Sequence, residues 1–171
     1  MNFLSTIKQL KKNLLKKENI FFFTYVIIIF FLDRLSKLQI INNHSETSYF
    51  VNDYINYDLI WNTGIGFGLL STNSSSFYNF VTILIGLVII LLVYFFTLSN
   101  KIDKFIYSTI VGGALGNFYD RIAYKAVPDF VDIHYENFHW FTFNVADIFI
   151  TIGIIIFLIS SFFEKSHNEN N

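Results

Sequence analysis

Four long apolar runs, at about residues 20–41, 77–98, 105–122 and 143–163, constrain this chain more than any other feature. Each is long enough to cross a hydrocarbon core about 30 Å thick as an α-helix rising 1.5 Å per residue. Lipid offers no partner to a backbone N–H or C=O, so a spanning segment must satisfy its own hydrogen bonds, and helices are expected. With 53% hydrophobic residues and a single Pro in 171 residues, a soluble domain of this length is a poor alternative. One integral membrane domain over residues 1–171 is the reading, all-α with four transmembrane helices.

Lysines orient the spans. Lys8, Lys11, Lys12, Lys16 and Lys17 precede the first run, and Lys101 and Lys104 lie between the second and third. Residues 42–76 hold Glu46, Asp53 and Asp58 but no Lys or Arg. Positive charge stays on the cytoplasmic side, so both termini are expected inside and residues 42–76 and 123–142 outside. Residues 1–19 lack a following small-residue cleavage site and read as a cytoplasmic amphipathic lead-in, either solvated or touching anionic headgroups. Segments 47–51 and 54–61 are rich in β-branched and aromatic residues, so short strands are expected there. The net charge of −1 gives no sign of a nucleic-acid partner, and the absence of cysteine removes thiol nucleophiles and thiolate metal sites.

The runs are interrupted by ionisable groups, which are costly in lipid and mark functional sites. Asp33, Arg34 and Lys37 interrupt the first, and the stretch from Gly112 to Asp147 holds Asp120, Asp129, Asp132, Glu136 and Asp147. Counting from the cytoplasmic edge, Asp33 lies at a depth of about 20 Å and Asp120 at about 22 Å, with Asp147 about 6 Å below the outer edge. Three helices thus deliver carboxylates to similar depths near one face. Asn117 precedes Asp120, and Asn144 precedes Asp147, by three residues, a spacing that shares a helical face. Asp33 and Lys37, at i and i+4, form either a self-neutralising pair or a substrate contact. Gly112, Gly113, Ala114 and Gly116 admit a closely packed neighbour. Asn62 opens the stretch NTGIGFG, whose glycines fit tight turns better than a phosphate loop, and it is placed to hydrogen-bond a bound chain.

Adjacent Ser36 and Lys37 point about 100° apart on a helix and cannot form a dyad. His134 and His139 lack a zinc-protease spacing, so no metal and no cofactor is expected. Paired aspartates remain: two close carboxylates share one proton, one acting as base on water and the other as acid. Asp129 lies among Val127, Pro128, Phe130 and Val131, and Asp147 among Val145, Ala146, Ile148 and Phe149, apolar settings that disfavour the charged form. Asp120 is followed by Arg121, which favours its ionised form. Asp129 with Asp147 is therefore the preferred pair, Asp120 with Asp147 the alternative, and Asp120–Arg121 an expected structural ion pair. A proton-linked transporter also needs intramembrane acids, but such proteins carry internal repeats and midplane sites, and neither is evident here.

The motifs DRLSK, NTGIGFG, GGALGNFYDR, VPDFVD and FNVAD stand in the order and spacing of bacterial lipoprotein signal peptidases, the signal peptidase II family, and the chain resembles that family across its membrane core. The resemblance implies a multi-pass aspartic endopeptidase of the bacterial cytoplasmic (inner) membrane, with its active site near the extracytoplasmic face and a small β-rich cradle for substrate. Its substrates would be prolipoproteins carrying a diacylglyceryl-modified cysteine, cut on the amino side of that cysteine; membrane lipids would be its other partners, and a monomer is expected. Asp129 and Asp147 fall on the catalytic dyad, and Asp33, Lys37, Asn62, Gly112, Asn117, Arg121 and Asn144 on positions that shape the site. Two departures are Ile65 and Gly66 in place of two alanines, and Pro128 before Asp129.

Overall fold

The protein is described by a computed structural model that covers residues 16–64 and 75–169. Four helices, α1 (Lys17–Asn43), α2 (Ser75–Leu98), α3 (Lys101–Tyr124) and α4 (Val145–Glu169), account for most of it. Four strands, β1 (Tyr49–Asn52), β2 (Ile55–Asn62), β3 (Val127–Tyr135) and β4 (Phe138–Phe143), form one antiparallel sheet in the order β1-β2-β3-β4. The segment that follows α1 is thereby zipped to the segment that follows α3, through the β2–β3 pairing.

The helices are arranged inside out. In α1, Asp33, Arg34 and Lys37 are buried, while Phe21 is 68% and Leu35 62% exposed. Such a surface is favourable only against hydrocarbon, where apolar side chains need no shelter and charges do. Lys17–Asn43, Ser76–Leu98 and Val145–Phe163 are each long and apolar enough to cross a membrane. At 24 residues α3 has the length but not the composition, because the polar residues of its last turns face its neighbours.

Helix α3 packs against all three other helices. Its small residues make that possible: a Cβ on Gly113 would strike the Ala146 carbonyl of α4, and one on Gly112 would lie 2.8 Å from Cβ of Ile29 in α1. Close backbone approach of this kind is how helices associate in lipid, where burial of apolar surface gives no driving force. Asn100 caps α3 by accepting from the N–H groups of Ile102 and Asp103, and Lys125 ends it in the left-handed conformation at φ 59°.

The strands expected at 47–51 and 54–61 form one or two residues later. The larger difference is at 123–142, read from sequence as a connection, where β3 and β4 stand. Two acids and a histidine at buried positions of β3 masked the apolar alternation that marks a strand. Helix α4 starts at Val145 because Phe143 closes β4. The lysines before residue 16, and Ile65, Gly66 and Gly68 of the glycine stretch, lie outside the described residues.

Candidate active site

Every polar group of the site comes from the point where the helices meet the sheet. Helix α1 supplies Asp33, Arg34 and Lys37, α3 supplies Asn117, Asp120 and Arg121, the end of β2 supplies Asn62, and β3 supplies Asp129. The β4–α4 junction adds Asn144 and Asp147.

Lys37 is fully buried, and an ammonium has three protons to place. They go to Asp33 Oδ2 at 2.8 Å, Asn117 Oδ1 at 2.8 Å and Asp120 Oδ2 at 2.7 Å. The remaining oxygen of Asp120 pairs with Arg34, whose guanidinium lies over the rings of Tyr119 and Tyr124. The second oxygen of Asp33 accepts the Ala146 N–H at 2.9 Å, tying α1 to the first turn of α4. Gly116 leaves room for the Asp33 carboxyl, which any Cβ there would hit. Two cations and two anions thus neutralise one another behind the site, as buried charges must.

The expected pairing of Asp120 with Arg121 is corrected by these contacts. Sequence neighbours on a helix point about 100° apart, so Asp120 turns to α1 while Arg121 donates to the carbonyls of Asn117 at 3.2 Å and Gly64 at 3.0 Å. Arg34 is the residue that sequence reasoning passed over. Its signal was the i, i+3 spacing to Lys37, which puts both cations on one face toward α3.

Asp129 and Asp147 lie in front of this cluster, joined through Asn144. The Asn144 amide donates to Asp129 Oδ1 at 2.6 Å, and its backbone N–H donates to Asp147 Oδ2 at 3.1 Å. Asp147 N–H in turn donates to Asn144 Oδ1 at 3.1 Å. Asn144 and Asp147 therefore form a capping box at the start of α4, so their spacing of three reflects a helix end rather than a shared helical face. Asn117 donates to the other Asp147 oxygen at 2.8 Å, and Asn62 to Asp129 Oδ2 at 2.8 Å, with Asn62 itself fixed by the Gly64 N–H at 2.7 Å.

Asp129 is 3% exposed. Burial, with the charge of Asp147 added to it, pushes its pKa up to about 6 against the lowering effect of its two amide donors. No cation pairs with it directly among the described residues. A cavity of about 260 Å³ opens beside Asp147, lined by Ile133, Phe141, Phe143, Ile148, Thr151 and Ile152. A carboxylate that borders an apolar groove, next to a second one whose pKa is raised to about 6, is suited to acid–base chemistry on an apolar chain. Gly112 stands apart from the hydrogen bonds and contributes packing against Ile29.

Residues 25–163 match the family described as Signal peptidase (SPase) II. The chain belongs to that family. It is a peptidase, and the matched range holds every site residue described above. The lipoprotein signal peptidase of Pelagibacter ubique (strain HTCC1062) is 48% identical over 151 residues, 85% of this chain and 91% of that protein. That of Anaplasma phagocytophilum (strain HZ) is 38% identical over 144 residues, covering 81% of this chain and 90% of the relative. A bacterial membrane enzyme solved by the in meso method at 2.3 Å resolution has a similar fold, with a TM-score of 0.72 at 30% identity over 85% of this chain and 90% of that one.

Proposed function

We propose that this signal peptidase II family member removes signal peptides from diacylglyceryl-modified prolipoproteins, cleaving on the amino side of the lipidated cysteine with water activated between Asp129 and Asp147. The observation that carries the chemistry is the bridge through Asn144, which holds two carboxyl groups in one place where only one proton keeps them stable together. Asp147, with an N–H on each oxygen, takes the proton of the attacking water. Asp129, in its protonated form, donates to the scissile carbonyl oxygen. The new C–O bond gives a tetrahedral diol; its C–N bond then breaks as the cysteine nitrogen takes the proton from Asp147 and a diol hydroxyl returns one to Asp129. Asn62 and Asn144 hold Asp129, and Asn117 holds Asp147, so neither carboxyl reorients during the reaction.

The substrate assignment rests on the family, on the groove and on the helices. A signal peptide is an apolar segment, and the groove beside Asp147 is lined by apolar side chains. In the same reading α3 is a fourth span. Only Ser99 and Asn100 separate α2 from α3, which makes the two antiparallel, and the β3–β4 hairpin returns the chain into α4. The sheet then lies at the acidic, lysine-poor end, extracytoplasmic by the charge rule, with both termini cytoplasmic and the dyad in the outer leaflet. A diacylglyceryl anchor delivers the cleavage site there, each buried CH₂ adding about 0.8 kcal/mol to membrane residence.

The test is incubation of purified protein with a lipidated prolipoprotein and its unlipidated precursor in matched detergent, with mass analysis of the products. Cleavage before the modified cysteine, far faster for the lipidated form, is expected. Equal rates for the two precursors would overturn the substrate assignment.

A further inference from the structure

The sheet carries a second cluster of ligand-type side chains, and the peptidase chemistry uses none of it. Asp132 and His134 are two apart on β3, so they share a face, and His139 is the cross-strand partner of His134. The two imidazoles stack with centroids 5.4 Å apart. Their Nδ1 atoms converge on one oxygen, Asp132 Oδ2, at 2.7 Å from His139 and 3.5 Å from His134. All three donor atoms lie within 4.8 Å of one another. Strand alternation turns this face away from Asp129 and away from the groove, which Ile133 and Phe141 line from the opposite side.

His134 supplies a second, independent observation. It is 8% exposed, and its Nδ1 makes no hydrogen bond among the described residues. A buried ring nitrogen without a partner costs free energy unless something occupies the space before it. The Asp132 oxygen that it faces is already engaged by His139.

We propose that Asp132, His134 and His139 form a binding site for a divalent first-row transition ion, zinc by ligand type, with a water completing the shell. Two imidazoles and a carboxylate are borderline donors that suit Zn²⁺, and three protein ligands leave one position open. Tetrahedral ligation at about 2.0–2.2 Å sets donor atoms about 3.3 Å apart. The His134–Asp132 spacing already meets this; His139, 60% exposed at its side chain, moves back by a few tenths of an ångström to do so. The ion clips β4 to β3, behind the wall of the groove, and its binding does not depend on the peptidase reading.

The experiment uses full-length protein without a histidine tag, stripped with chelator in detergent and titrated with ZnCl₂ and, separately, CoCl₂. One saturable equivalent is expected, with a rise in melting temperature on adding zinc and visible cobalt bands of four-coordinate intensity. His139→Ala removes an exposed ligand, so it should melt like the parent in chelator yet bind at least about tenfold more weakly and lose the cobalt bands. Asp132→Asn should do the same. No saturable equivalent in the parent protein overturns the site, as does an equivalent that survives in His139→Ala.

Discussion

Burying a carboxyl group costs folding free energy unless a proton or a cation goes with it. The carboxyl groups around Lys37 and at Asp129 show both solutions. Asp33 and Asp120 are matched by Lys37 and Arg34, so Lys37→Met should leave Asp33 without a cation and Asp120 with Arg34 alone, and destabilise the protein by about 3–5 kcal/mol, read as a lowered melting temperature in detergent. Asp129 takes the other route and keeps its proton up to a pH of about 6. Its raised pKa has a defined linkage sign. Between pH 4 and 6 the unfolded chain gives up this proton while the folded protein retains it. Stability therefore falls as pH rises through that window and levels off above it, by about 3 kcal/mol for a shift of this size. Melting curves of the parent and Asp129→Asn across pH 4–8 should show this as a difference that grows to pH 6 and then stays constant. A difference independent of pH would contradict the shift. From the proposed role of Asp129 as the acid, kcat/KM should fall on the alkaline side with a midpoint near 6 in the free enzyme.

At the scale of elements, the helices were legible from sequence and the hairpin was not. Apolar runs announce themselves by length, and lysines by side, because lipid enforces both. The β3–β4 pair hides because buried positions on both faces of β3 carry polar groups, Asp129 on one and Asp132 and His134 on the other, in place of the apolar residues of a core. The candidate dyad residues stood out from their apolar neighbours, whereas the partner of Asp120 did not. It lies on α1, 86 residues away in sequence, and only packing through the glycines of α3 brings the two together. That packing is itself testable. Gly116→Ala places a methyl against the Asp33 carboxyl, and the displaced acid should cost about 1–3 kcal/mol, with the loss of folded protein exceeding any change in turnover per folded molecule. At the other extreme, Lys125→Gly relieves a left-handed residue at the end of α3 and should raise stability by about 0.5–1 kcal/mol.

For the whole molecule, the sheet is a brace that locks two inter-helical segments over one end of the bundle and fixes Asn62 against Asp129. Which side of the membrane that end faces can be measured directly, since the chain has no cysteine of its own. Single cysteines at Asn137 in the β3–β4 turn and at Lys101 at the start of α3, both exposed, should differ in intact cells: the first labelled by an impermeant thiol reagent, the second not. Equal labelling would contradict the orientation. The central claim is that Asp129 and Asp147 act together on water while Asp120 holds the scaffold. Its most direct test is turnover of a lipidated prolipoprotein, normalised to folded enzyme by thermal unfolding, for Asp129→Asn, Asp147→Asn and Asp120→Asn. The first two should lose at least about 10²–10⁴-fold per folded molecule, and Asp120→Asn should lose mainly folded protein. A well-folded, inactive Asp120→Asn beside an active Asp129→Asn would move the pair to Asp120 and Asp147, and an active Asp147→Asn would end the aspartic mechanism.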